Sequence, residues 1–430
     1  MYFCKWNVDT RMRKRFFQFA IVLLLLCTLY ACSSDDDRDP FEPARNYQHT
    51  VLVYISGENR LSSFINEEIN EMKTGSKAIS DDDALIVYVD DANSQNKPYL
   101  ARITDGELTD QHYFLEDSLS SDPNVMLHVL NYVSHRYPAE DYGLVLWGHG
   151  SGWLKEDSLV YDNGSRRGYG VDNGTNSYSD VGTWINIPTL ANILRDWGHP
   201  LRFILGDCCF FQCIESAYEL KDVADYVIGS PAEIPGVGAP YNTIVPAMFS
   251  PSTTFYEEIV NKYYEQTLSV KSNDGWSNYT ARVTLSVIKS SELESLAQAT
   301  TNILVTLDPI QGEQLSNELL YYGLYYYMPE GRLVDTFLDM NDYFLHKAHT
   351  SAYEKWLEAF NQAVVYRVYD KWETYTLSYS VFSRLSDERY GGVSMYIPQQ
   401  RTNTQFYNVC ADYIKFFKWY KAAGLDILGW

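Results

Sequence analysis

Residues Tyr142 to Trp153 read YGLVLWGHGSGW, and the way this stretch is built decides the fold. Leu144, Val145, Leu146 and Trp147 form an unbroken apolar run. Such a run fits a strand covered on both faces of a parallel sheet, because a half-exposed strand would alternate. His149 follows directly, framed by Gly148, Gly150 and Gly152, which allow a sharp exit and close backbone approach. In open α/β sheets this carboxyl edge is where ligands collect. A second apolar run, LRFILGDCC from Leu201, ends in Asp207, Cys208 and Cys209. An imidazole and a thiol at matching ends of two strands point to nucleophilic chemistry.

Moving outward, TVLVYISG (Thr50 to Gly57) and ALIVYVDD (Ala84 to Asp91) are two further buried strands. Between them Leu61, Phe64, Ile65, Ile69 and Met72 recur at helical spacing. PYLARIT and QHYFLED read as a hairpin or an extension of the sheet. Asp122-Pro123 opens a helix with Met126, Val129, Leu130 and Val133 on its inner face. This alternation predicts an α/β protein with a mostly parallel sheet covered by helices. Lys155 to Trp184, rich in Gly, Asp, Asn, Ser and Tyr and without a period, is a loop over the site. A helix from Pro188 delivers the chain to the strand at Leu201. Cys213, Ala217 and Leu220 share one face of the next helix, and Tyr226 to Gly229 is again a strand. SPAEIPGVGAPY (Ser230 to Tyr241) is a Pro- and Gly-rich loop able to line a pocket. Further on, YTARVTLSVIKSSELESLAQAT gives a strand and a helix capped near Ser290 to Glu292. LVDTFLDMNDYFLHKA reads as a helix, TYTLSYSVFSRL and GGVSMYIP as strands, and YYGLYYYM as core or interface. No period repeats, so this part is an α+β extension.

The chain has 430 residues, 46% of them hydrophobic, and can bury a substantial core. Its formal net charge of -22 excludes nucleic acid as a partner, since phosphate needs clustered Lys and Arg. An acidic surface favours cationic partners. At the N-terminus Arg11, Arg13, Lys14 and Arg15 precede an apolar stretch from Phe16 to Leu26. That is a signal peptide by size and polarity, too short for a comfortable membrane span. Of the seven cysteines, Cys4, Cys27 and Cys32 lie in the leader or at its cut site. The other four, Cys208, Cys209, Cys213 and Cys410, make no disulfide framework. No spacing supports a zinc site, so no metal ligands are assigned.

A cysteine attacks as its thiolate, which a nearby histidine stabilises before protonating the leaving group. His149 and Cys209 can do this if their strands are neighbours. The oxyanion needs unobstructed backbone N–H groups, which Gly150 and Cys209 can supply. The opposing readings are an inert buried thiol and a structural histidine. The other histidines lack a glycine-framed strand end and read as surface or core residues.

LWGHGSGW (Leu146 to Trp153), GDCCFFQCIESAYELKDVADYVIGS (Gly206 to Ser230) and PGVGAPY (Pro235 to Tyr241) resemble the clostripain family of cysteine peptidases. That family belongs to the caspase-like clan. The resemblance implies a caspase-like fold, with His149 after the third core strand and the nucleophile Cys209 after the fourth. Relatives read Asp-Ala-Cys where this chain has Asp207-Cys208-Cys209, and strand alternation would point Asp207 and Cys209 the same way. It also implies that Asp207 is the acidic base of a pocket for an Arg or Lys side chain, against the alternative of a capping or structural acid. SPAEIPG replaces a Ser-Glu-Glu-like run, and Glu233 is the acid available there. Family members can cut themselves between the two motifs, which makes Lys155, Arg166 and Arg167 candidate cut points. Calcium dependence occurs in the family, but no EF-hand-like spacing is present, so no cofactor is expected.

Leu29-Tyr30-Ala31-Cys32 resembles a bacterial lipobox with Cys32 as the lipidated residue. SSDDD (Ser33 to Asp37) resembles the acidic run that sends Bacteroidetes lipoproteins to the cell surface. The expected organisation is a signal peptide (1–31), a lipidated tether (32–48), a caspase-like catalytic domain (49–245) and a C-terminal α+β region (246–430). Together these resemblances imply an outer-membrane lipoprotein, a cysteine endopeptidase acting on proteins or peptides after Arg or Lys. The alternative is a peptide-binding lipoprotein that keeps the scaffold and has lost catalysis.

Overall fold

The computed structural model describes residues 45–93, 95–114, 118–154, 168–269, 271–273, 278–280, 283–307, 319–322, 324–327, 332–335, 337–369, 387–397 and 412–427. The leader, Cys32, the candidate cut points Lys155, Arg166 and Arg167, the expected strand TYTLSYSVFSRL and Cys410 lie outside the described residues.

The apolar runs become the centre of one large sheet. Its first five strands are β1 (Tyr47–Gly57), β2 (Ala84–Asp91), β3 (Tyr99–Thr104), β4 (Glu107–Tyr113) and β5 (Ala139–Gly148). A short antiparallel pair, β6 (Tyr169–Asp172) and β7 (Thr183–Ile185), stands beside the sheet. The chain returns to it with β8 (Leu201–Asp207) and β9 (Ala224–Gly229). After a small hairpin of β10 (Lys271–Asn273) and β11 (Asn278–Thr280) come β12 (Leu285–Lys289), the pair β13 (Leu324–Tyr327) and β14 (Arg332–Asp335), β15 (Leu338–Asp339) and β16 (Val364–Val368). Nine strands pair in the order β16-β12-β9-β8-β5-β1-β2-β3-β4. The five central strands are mutually parallel, and the two at each edge run antiparallel. PYLARIT therefore extends the sheet as β3, and β4 begins earlier than expected, at Glu107, taking in Gln111, His112 and Tyr113 of QHYFLED.

Alternation along each strand separates two cores. Leu52 and Tyr54 of β1, Leu144 and Leu146 of β5 and Ile204 of β8 face one side. Val53 and Ile55, Val145 and Trp147, and Phe203 and Leu205 face the other. Helices cover both, as parallel strands require. Ile65–Ser76, Tyr241–Met248 and Phe255–Thr267 lie on one face, and Pro123–Arg136, Ile187–Trp197 and Leu293–Leu304 lie on the other. In the downstream region Leu338 to Asp339 pairs as a strand ahead of the helix Met340–Lys347. The long helix expected over LVDTFLDMNDYFLHKA is thus shorter, because residues 332–335 and 338–339 find strand partners that local spacing does not reveal.

Register places the site. Ser56 of β1 pairs with Gly148 of β5 and Asp90 of β2, and Trp147 of β5 pairs with Asp207 of β8. The carboxyl ends of four parallel strands therefore finish in one row.

Candidate active site

A cleft of about 330 Å3 opens at that row, lined among others by Trp147, Gly148, His149, Asp207, Cys209 and Glu233. Four residues singled out from sequence, His149, Asp207, Cys209 and Glu233, thus share one lining. Gly150 lies just behind it. A β-carbon on Gly150 would come within 2.5 Å of the Cys209 carbonyl oxygen and 2.8 Å of Cys208 Sγ. Only glycine lets the two strand ends approach this closely.

The residues around Gly150 are fixed by the neighbouring pair of strands. Gly170 N–H donates to His149 O at 2.9 Å, and Ser151 N–H donates to Gly168 O at 2.9 Å. Gly150 lies opposite Tyr169 between these two bonds, so antiparallel alternation turns its own N–H away from that strand.

Strand β8 ends at Asp207, so alternation does not extend to Cys209. Asp207 and Cys209 still line one cleft, brought together by the turn after the strand and not by alternation along it. Asp207 is buried among residues of one core, whereas Cys208 is 1% exposed within the opposite core and Cys209 packs against that side, half-buried. Both nevertheless reach the cleft, because the chain turns sharply after the strand. Phe210 adopts φ 57°, a conformation that costs a non-glycine residue energy and recurs at functional turns. Stacking on Phe337 at 4.5 Å and a hydrogen bond from Phe210 N–H to Ala232 O at 2.9 Å hold it there.

The two thiols occupy different environments. Burial pushes the Cys208 thiol well above its ordinary range, with the charges of Cys209 and Asp207 adding to the effect, and a neutral buried thiol is inert. Cys209 is half-buried, and its Sγ accepts a hydrogen bond from Ile234 N–H at 3.4 Å and lies 4.0 Å from the Ile234 carbonyl oxygen.

His149 is held by a residue the sequence did not single out. Its Nε2 lies 3.1 Å from Asp180 Oδ1, which leaves Nδ1 as the ring nitrogen open to a thiol or a leaving group. Asp180 also accepts from Arg60 N–H at 3.2 Å and pairs with Arg60 Nε at 3.4 Å. Hydrogen bonding to His149, with help from Arg60, holds the Asp180 carboxyl below its usual range in spite of partial burial. Asp180 sits in the aperiodic loop expected over the site, where no local pattern distinguishes it.

Asp207 is saturated from behind. Its Oδ2 accepts from Ala239 N–H at 3.0 Å and from the Tyr241 hydroxyl at 2.8 Å, and its Oδ1 accepts from the Tyr263 hydroxyl at 2.9 Å. Burial raises its pKa, and these three donors oppose the rise.

Farther along the sheet edge, the carboxylates of Glu58, Asp90 and Asp172 are buried and lie within 4.8 Å of one another. Oxygen donors alone suit a hard cation such as calcium. An ion held there would offset three like charges. None of the three residues is in the cleft lining.

A thiol and an imidazole face one cleft at the carboxyl edge of a doubly covered parallel sheet, and the comparisons with known proteins show the class, a cysteine endopeptidase of caspase-like fold. Residues 53–427 fit the clostripain family model, and the chain belongs to that family. Among solved structures, a secreted C11 cysteine protease from Bacteroides thetaiotaomicron, in complex with an irreversible peptide inhibitor, is 31% identical with a TM-score of 0.70. The alignment covers 88% of this chain and 99% of that one. An inactive zymogen C11 protease from Parabacteroides distasonis is 26% identical, with a TM-score of 0.69 and coverage of 88% and 98%. No curated protein matches.

Proposed function

We propose that the chain is a surface-anchored cysteine endopeptidase that cuts peptide bonds after Arg or Lys through His149 and Cys209. The observation that carries this reading is the single cleft lined by His149, Cys209, Asp207 and Glu233. In the proposed reaction Cys209 Sγ, as thiolate, bonds to the scissile carbonyl carbon. The developing oxyanion is received by the N–H groups of Gly150 and Cys209. The C–N bond then breaks as the His149 imidazolium gives its proton to the amine. Water, deprotonated by His149, hydrolyses the thioester and restores the thiol. Asp207 and Glu233 place negative charge where the basic side chain of the substrate would lie, and a guanidinium or ammonium would exchange water for charge-assisted hydrogen bonds. Lipid on Cys32 would keep the enzyme on the outer membrane.

Peptide reporters ending in Arg, Lys or a neutral residue, offered to the chain lacking residues 1–31, test this reading. Basic reporters are expected to be cut, Cys209→Ala to be inactive and Cys208→Ala to retain activity. Equal turnover by Cys209→Ala and wild type would reject the assignment.

A further inference from the structure

The helix Ile65–Ser76 covers the sheet with Ile65, Ile69 and Met72. Glu68 belongs to the same buried face and is 2% exposed. An acid inside an apolar stripe costs several kcal/mol unless something compensates it. The Trp147 indole N–H supplies one hydrogen bond to this carboxyl. Its other oxygen, Oε2, is buried with no hydrogen-bond partner among the described residues.

What this carboxyl faces is the wall of the cleft at Gly238. Around the point where a Gly238 β-carbon would sit, Glu68 Oε1 is 3.0 Å away, Trp147 Nε1 3.0 Å and Asp207 Oδ2 3.1 Å. Gly238 itself lines the cleft, in a backbone conformation (φ 61°) that side chains rarely adopt. Glu68 Oε1 and Asp207 Oδ2 thus press against this glycine wall, and Glu68 lies behind the cleft lining, not in it. We propose that Glu68 is the second acid of the side-chain pocket and acts with Asp207 on the substrate's basic group through the glycine wall at Gly238. This rests on the reading of the cleft given under Proposed function.

The surroundings of Glu68 give the inference a measurable signature. Burial raises its pKa to about 10, and the negative charges of Asp207 and Glu71 contribute. Glu67 and Glu71 on its own helix, Asp207 from β8 and the Tyr241 and Tyr263 hydroxyls are the titratable groups around it. Glu68 is therefore neutral in the empty enzyme near neutral pH. An incoming guanidinium favours the ionised form, so its binding is coupled to release of a proton. Affinity for a basic side chain accordingly rises with pH, up to the pKa of the empty enzyme.

Two measurements test the proposal. In calorimetry at pH 8 with ethylguanidine, in two buffers of different ionisation heat, wild type is expected to release about one proton per guanidinium bound. In peptide hydrolysis, Glu68→Gln keeps the shape but cannot ionise. It is expected to raise KM for Arg reporters about tenfold with little change in kcat, to flatten the pH dependence of that KM and to leave neutral reporters unaffected. A wild type that cuts Arg reporters yet releases no proton on binding ethylguanidine, or a folded Glu68→Gln with an unchanged KM and pH slope, overturns the role of Glu68 alone. A wild type without preference for basic reporters overturns the reading of the whole pocket. The calorimetric arm needs no variant, so a Glu68→Gln chain that fails to fold does not remove the test.

Discussion

At the scale of single residues, the cleft depends on contacts that keep side chains in one orientation. The clearest case is Asp180, whose carboxylate meets His149 Nε2 at 3.1 Å. Asp180→Asn keeps the size but removes the charge, so the ring is free to reorient. We expect kcat to fall on the order of a hundredfold with KM nearly unchanged. Steady-state kinetics check this, and an unchanged kcat would leave Asp180 no part in orienting the imidazole. His149 and Cys209 were legible from sequence because glycines and apolar runs frame them. Asp180 was not, because it stands 31 positions beyond its partner in a loop with no period. Glu68 did leave a trace, an acid within a run of apolar positions at helical spacing, but only the fold shows what it faces.

Elements show where local pattern and tertiary context part. The central strands were readable because burial on both faces leaves continuous apolar runs. The bounds of β2 agree with the reading from sequence, and β1 begins earlier, at Tyr47. At the end of β8 the strand pattern stops at Asp207, so the turn that brings Cys209 to the same cleft has no periodic signal. The short helix Ile214–Leu220 is buried along its entire length, and it yields a prediction of its own. Glu215 in its first turn accepts from Tyr396 N–H at 2.7 Å, yet burial raises its pKa from 4.5 to about 7. A carboxyl raised in the folded state contributes stability that is fully present below its unfolded pKa and is lost as pH rises through the folded value. Between pH 4.5 and about 7 this group therefore removes about 3 kcal/mol of stability. Glu215→Gln keeps an acceptor for Tyr396. Its thermal midpoint is expected to exceed that of wild type by several degrees at pH 8, with no gain at pH 4.5. Melting curves at the two pH values decide it, and equal differences at both would mean that the charge of Glu215 is not the cause.

At the scale of the molecule, one sheet takes strands from both ends of the described chain. β12 and β16, from beyond residue 245, continue it past β9. Strand partners drawn from so far along the sequence leave little local signal. This is why the downstream region was legible only as mixed elements, while the central α/β pattern was plain. For the leader, the expectation is cellular. Cys32→Ser removes the proposed lipid attachment, and the protein should move from the membrane fraction to the soluble fraction. It should also lose labelling by a fatty-acid analogue, as read by fractionation and gel fluorescence. A variant that stays in the membrane fraction and keeps the label would refute anchoring at Cys32.

The hydrogen bond from Tyr263 to Asp207 has a meaning for biogenesis. The acid at the centre of the cleft is gripped by a hydroxyl that lies 56 positions further along the chain, and Glu68 approaches it from the opposite direction in sequence. A nascent or truncated chain that stops before Tyr263 carries Cys209, the proposed nucleophile, without a finished pocket. Proteolytic competence thus arrives late, together with the completed fold. A half-built molecule is therefore poorly equipped to digest its neighbours.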